Sequence, residues 1–200
     1  MNLTLSEEFL SFQGEGSFMG RRAYFIRTYG CPVKCSWCDT KDSWLGQSYS
    51  ASIEDIVDRV LASKAEIAVI TGGEPCLQDL SLLVEKLKEN SIKVHLETSG
   101  VLPNKWDFDW IVLSPKLGKK VDETFLESAK EMKFILGDIE EMKEYNCYLK
   151  EAKNVNFVWL HPQSQKLENK ELMKAIASYV VENGEPYRAG CQLHKIYNFR

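Results

Sequence analysis

The sequence predicts an α/β fold of mainly parallel strands, in one domain spanning residues 1–200. Three observations carry that expectation. Short apolar runs alternate with amphipathic stretches, the rhythm of parallel strands joined by helical crossovers. No linker, long repeat or low-complexity tract divides the 200 residues, a length that fits one core. Polar residues and glycines recur just after the apolar runs, where α/β sheets gather their functional loops.

The elements follow in order. RAYFIRT (22–28) is rich in β-formers and follows a glycine-bounded loop. SIEDIVDRVLAS (52–63) sets a Ser cap three residues before Asp55, then apolar positions at helical spacing. EIAVI (66–70) has the look of a buried strand, broken by TGGEP. LQDLSLLVEKLKEN (77–90) is an amphipathic helix, and IKVHLE (92–97) and WIVL (110–113) are strands. A helix at 123–132 and a strand at 133–136 follow, then a helix at 138–152, a strand at 155–160 and a helix at 169–183. The strand ends lead into YGCPVKCSWCDT, TGGEP, TSG, SPK and HPQ, so those segments are expected to meet at one site.

Composition narrows the class. Twenty-nine acidic against 25 basic residues leave a net charge of −4, so no basic excess suggests a nucleic-acid face. The N-terminus lacks a signal peptide's charged and apolar regions, and no run approaches the ~20 apolar residues of a membrane span. A cytoplasmic protein with reduced thiols is the expectation.

Cys31, Cys35 and Cys38 stand in a Cys-x3-Cys-x2-Cys pattern. A structural zinc site takes four protein ligands, usually as two pairs, so zinc here needs a remote fourth donor. A disulfide framework conflicts with a reducing compartment. Three thiolates on a four-iron cluster leave one iron open for a ligand. Cys76, Cys147 and Cys191 are scattered and read as ordinary thiols. His95, inside a strand pattern, reads as a packed residue.

CPVKCSWC followed by TGGEP one strand later resembles the two motifs of the radical S-adenosylmethionine (SAM) enzymes. FQGEG (12–16), Arg27, CDT (38–40), LETSG (96–100), LSPK (113–116) and QLHK (192–195) together resemble the 7-carboxy-7-deazaguanine synthase family over nearly the whole chain. The resemblance implies a partial (β/α)6-type barrel. It implies conversion of 6-carboxy-5,6,7,8-tetrahydropterin to 7-carboxy-7-deazaguanine with loss of ammonia, towards queuosine-type deazapurines. The cofactors implied are a 4Fe–4S cluster, SAM used catalytically, and Mg²⁺. A flavodoxin or ferredoxin-type reductant and a homodimer are implied as well.

Residue by residue, the resemblance assigns the cluster to Cys31, Cys35 and Cys38. Gly72 and Gly73 would let the backbone approach SAM, or else form a plain turn. Glu74, Glu97 and Ser99 suit its amino group and ribose. Ser114, Pro115 and Lys116 stand near its carboxylate or ribose, Trp37 offers a face to adenine, and Asp39, His161 and Gln163 complete the set. Glu97 as a surface charge and Trp37 as a core aromatic are the structural alternatives. For the pterin, Arg27 would pair with the carboxylate, while Phe12, Gln13, Gly14 and Glu15 read the ring edge and Thr71, Gln192 and His194 stand beside it. Thr40 would be the Mg²⁺ ligand, or else a turn cap.

The C-terminus departs from the family pattern: relatives bring a terminal carboxylate to the substrate, whereas this chain ends at the cationic Arg200. Arg188 would serve a nearby anion or simply face solvent. A glycyl-radical activating enzyme, which shares the cysteine loop and GGEP, and a non-enzymatic metal-binding module are the competing readings.

Overall fold

The computed structural model describes residues 1–199; Arg200, and with it the expected terminal contact, lies outside the described residues. The chain begins with a strand the sequence reading did not anticipate, β1 (Asn2–Phe12), antiparallel to β2 (Arg22–Thr28). Residues 13–21 join them as a strap, closed by Gln13 N–H on the Arg21 carbonyl at 2.7 Å. The cysteine loop then leads through α1 (Asp42–Leu45) and a short edge strand, β3 (Tyr49–Ser52), to α2 (Ile53–Ala62). Ser52 caps α2 by accepting the Asp55 N–H at 3.1 Å, as the sequence predicts. Ile53, Ile56, Val57 and Val60 bury the face that helical spacing creates.

Crossovers follow: β4 (Ile67–Gly72), α3 (Ser81–Glu89), β5 (Lys93–Thr98), β6 (Trp110–Leu113), α4 (Glu123–Ser128), β7 (Glu131–Leu136), α5 (Met142–Glu151), β8 (Phe157–Pro162), α6 (Lys170–Asn183), β9 (Tyr187–Ala189) and α7 (Leu193–Ile196). Among the described residues the strands form one sheet in the order β3-β1-β2-β4-β5-β6-β7-β8-β9, with every pairing from β2 to β9 parallel.

Several boundaries shift from their predicted positions; the helix expected from 138 begins at Met142, after a 3-10 turn at Ile139–Glu141, and the strand expected at 155–160 is Phe157–Pro162. The helix expected to begin at 77 begins at Ser81, because Pro75–Leu77 form a separate 3-10 turn. The helix expected through 132 stops at Ser128, and Glu131 and Met132 join β7. Ladder pairing of both residues with β6 and β8, and full burial of Met132, outweigh the helical propensity of that stretch.

Strand periodicity positions the site. On β2, β4, β5, β7 and β8, one parity (Ile26, Ile70, Leu96, Phe134, Leu160 among them) enters the main core beneath the helices. The other parity faces inward. Its lower half is filled by Phe25, Ile67 and Val69 and by Phe9 and Phe18; the Phe18 ring meets His95 at 4.4 Å and Trp110 at 5.1 Å. His95 is thus a packed residue, as expected. The upper half of the inward face carries Arg27, Thr71, Glu97, Lys133 and His161, all polar.

Candidate active site

Those upper residues line a cavity of about 340 Å³ at the C-terminal ends of the parallel strands. The strap brings Phe12, Gln13, Gly14 and Glu15 to it, and the end of β2 brings Arg27. The loop after β2 contributes Cys31, Cys35, Trp37, Cys38, Asp39 and Thr40. From the end of β4 and the turn after it come Thr71, Gly72 and Gly73, from the end of β5 and just beyond it Glu97 and Ser99, from the loop after β6 Ser114 and Lys116, and from β8 His161. Gln192 and His194 close it from the C-terminal segment. Gly14 and His194 meet without room between them: a Cβ on Gly14 would lie 2.1 Å from His194 Nδ1. The Leu193 N–H donates to the Gly14 carbonyl at 2.8 Å, and Phe12 packs against the Tyr197 and Phe199 rings.

Three expected residues lie elsewhere. Pro115 is buried off the cavity wall, and Gln163 lines a smaller space behind the cysteine loop, together with Cys35, Trp37 and Lys116. Glu74 is fully buried beneath the wall. Its carboxylate accepts from Thr98 Oγ1 at 2.6 Å, from the Ser99 N–H at 2.9 Å, and from the Ser99 hydroxyl. It orients the end of β5 rather than facing a ligand.

Gly72 and Gly73 line the cavity, and their bareness also serves the protein's own backbone. A Cβ on Gly73 would lie 2.1 Å from the Gly30 carbonyl, and one on Gly72, whose φ is +134°, 2.3 Å from the Thr28 carbonyl. Gly73 N–H donates to Thr28 at 3.1 Å and Glu74 N–H to Gly30 at 2.8 Å. TGGEP therefore clamps the root of the cysteine loop.

Charge is concentrated on one wall. Lys133 Nζ stands 2.5 Å from Glu15 Oε2 and 3.7 Å from Glu97 Oε2. Gln13 Nε2 donates to Glu97 at 2.9 Å, and Gln192 Nε2 donates to Glu15 at 2.7 Å and Asp39 at 3.1 Å. Burial alone would raise the Glu15 carboxyl, but the Lys133 ammonium overrides it and holds the group well below the carboxylate range. Burial likewise opposes the charge on Lys133, and Glu15 and Glu97 outweigh it, so its pKa rises. Arg27 donates from Nε to Glu7 at 2.7 Å. Lys116, lowered by burial to about 8, donates to the Ser114 carbonyl and hydroxyl and lies 5.7 Å from the Trp37 ring centre.

The donor set suits the expected cofactors. Burial pushes the Cys35 thiol up, and the Cys38 and Cys31 thiols push it further; an iron–sulfur core relieves that crowding of negative charge. On the same cavity wall, the buried indole N–H of Trp44 and the imidazole Nε2 of His161 have no protein partner. Burial lowers His161 to about 4, so it stands neutral there. The Thr40 carbonyl accepts from Ser43 N–H and Oγ–H at 3.0 and 2.7 Å, a backbone turn that leaves the side chain out; the Thr40 hydroxyl lies 3.7 Å from Cys38 Sγ.

Comparison with known proteins agrees with this geometry. The profile of the Radical SAM superfamily matches residues 25–157. A 7-carboxy-7-deazaguanine synthase of Flavobacterium psychrophilum is 37% identical over 98% of this chain and 92% of its own. One of Escherichia coli K12 is 35% identical over 99% of both chains. The chain belongs to the 7-carboxy-7-deazaguanine synthase family of radical SAM enzymes. The crystal structure of QueE from Escherichia coli superposes with a TM-score of 0.83 at 32% identity, covering 97% of this chain and 95% of that one. A Streptococcus suis SuiB structure bound to SAM, 16% identical with a TM-score of 0.53 over 86% of this chain and 48% of that one, shares the fold.

Membership in the radical SAM synthase family carries a 4Fe–4S cluster and SAM with it, and these matches do not favour the activating-enzyme or metal-module readings. The strap residues Gln13 and Glu15 and the C-terminal Gln192 and His194 fall outside the superfamily span, yet inside the span shared with the synthases. No helix among the described residues is long and apolar enough to cross a membrane. Sequence reasoning missed Lys133, Glu7, Thr98 and Trp44 on the cavity wall. For Lys133 a signal existed: a lone cation in a strand of otherwise apolar residues, KFIL.

Proposed function

We propose that this chain is a carbon–nitrogen lyase converting 6-carboxy-5,6,7,8-tetrahydropterin into 7-carboxy-7-deazaguanine with release of ammonia. The observation that carries the reading is that one cavity joins the three-cysteine loop to the Gln13, Glu15, Arg27 and Gln192 set. The synthase names of full-length relatives support it.

Cys31, Cys35 and Cys38 would hold the cluster. Bound there, the cluster and SAM would supply the one-electron chemistry of the family. Trp37, Asp39, Gly72, Gly73, Glu97, Ser99, Ser114 and Lys116 form the SAM side, with Pro115, Glu74, His161 and Gln163 around it. Lys116, free to lose its proton near pH 8, neutralises a carboxylate below that pH. Arg27 keeps its terminal nitrogens for the pterin carboxylate while Glu7 fixes its Nε. Phe12, Gln13, Gly14, Glu15, Thr71, Gln192 and His194 hold the ring.

Thr40 offers its hydroxyl to Mg²⁺, with its carbonyl already engaged in the turn. The chain is read as a single cytoplasmic domain that works as a homodimer, reduced by a flavodoxin or ferredoxin-type protein. Mass spectrometry after anaerobic turnover of the reconstituted enzyme with carboxypterin tests the assignment. A deazaguanine carboxylate and free ammonia are expected; SAM cleavage indifferent to the pterin overturns it.

A further inference from the structure

We propose that Lys133 is a positioning residue that sets substrate specificity: seated between Glu15 and Glu97, it keeps Glu15 an acceptor-only carboxylate aimed at the N–H donors of the substrate's ring edge. The inference rests on the pterin reading above and adds a residue that neither motif contains.

The geometry begins on β7. Glu131 and Lys133 are two apart, so both face inward. Glu131 accepts from Ser17 N–H at 3.0 Å and Ser17 Oγ–H at 2.5 Å, while Lys133 donates to Glu15 at 2.5 Å. One strand thus holds the strap at two points. Each Glu15 oxygen then has one donor in place, Gln192 on Oε1 and Lys133 on Oε2. A carboxylate accepts about four hydrogen bonds, so about two remain for a ligand. A protonated Glu15 would present an O–H to a donor edge and repel it.

Other charged and titratable groups facing this pair are Glu97 from β5, Arg27 from β2, Asp39 from the cysteine loop, His161 from β8, His194 from the C-terminal segment, and Lys116 from the loop after β6. Both histidines are lowered by burial, His161 to about 4. Lys116 titrates near 8. Between about pH 5.5 and 7.5, Glu15 without its ammonium is therefore the group expected to change, since burial then pushes its carboxyl upward.

The test is anaerobic equilibrium dialysis of carboxypterin on reconstituted holoenzyme with SAM, across that pH range. The wild type should bind with a flat profile. Lys133→Met should weaken binding about tenfold or more at pH 7.5 and further as the pH falls. Lys133→Arg, which keeps the charge, should bind within a few-fold of wild type with a flat profile. Glu15→Gln should lose as much as Lys133→Met, without pH dependence. If Lys133→Met does not fold, Lys133→Gln, which keeps an N–H donor beside Glu15 without the charge, carries the same comparison. Wild-type affinity in the uncharged variant, or a pH-independent loss shared equally by it and Arg, overturns the inference. A wild type that neither binds nor turns over carboxypterin overturns the function proposed above instead.

Discussion

The carboxylate of Glu74, at the start of one strand-end loop, takes the backbone N–H of Ser99 at 2.9 Å at the end of the next strand, and both are buried. Glu74 therefore acts on the cavity through β5. Glu74→Ala strands the Thr98 hydroxyl and the Ser99 N–H and O–H, and should cost about 3 kcal/mol in urea unfolding of the apoprotein. Glu74→Gln should recover part of that. Wild-type stability in the Ala variant would show the bonds to be dispensable.

Gly73→Ala forces a Cβ onto the Gly30 carbonyl at the root of the cysteine loop. Iron and sulfide bound per chain should fall well below wild type after reconstitution, while far-UV circular dichroism stays native. Full cluster loading in that variant would mean the loop has room to retreat.

The six cysteines should divide cleanly. Serine at Cys31, Cys35 or Cys38 should abolish the visible iron–sulfur absorbance and SAM cleavage. Serine at Cys76, Cys147 or Cys191, none of which lines the cavity, should leave both intact.

Thr40→Ala should bind the cluster normally and lose the rate response to added Mg²⁺, with a drop of roughly tenfold or more at saturating metal. The backbone turn survives the change, so folding should not suffer. A Mg²⁺ dependence identical to wild type would remove Thr40 from the metal.

His95 gives a pH signature. Burial between Phe18 and the sheet lowers it from 6.5 to about 4, and His161 behaves alike. The unfolded chain binds these protons first, so stability is full above about pH 6.5 and is lost as the pH falls towards 4. The fall from 6.5 to about 4 bounds the loss at about 3.5 kcal/mol per histidine. His95→Gln should flatten the fall in urea midpoint between pH 7 and 5; an unchanged slope would place the titration elsewhere.

The sequence by itself determined the parallel strands, the crossover helices and the functional segments at the strand ends, because those signals are local: a period of 3.6 in SIEDIVDRVL, apolar runs in EIAVI and WIVL, glycines in TGGEP. It also held the cysteine spacing and motif residues that mark the family. β1, β3 and β9 escaped it: the pattern of β1 is mixed, and β3 and β9 are only three to four residues long and pair with distant chain. Only the tertiary structure decided what each polar residue does at its strand end. The inward parity brings Lys133 between Glu15, 118 residues away in sequence, and Glu97, and the turn after β4 aims Glu74 at Ser99. Those choices are made by burial, which forces every charge inside to find a partner wherever the folded sheet happens to bring one.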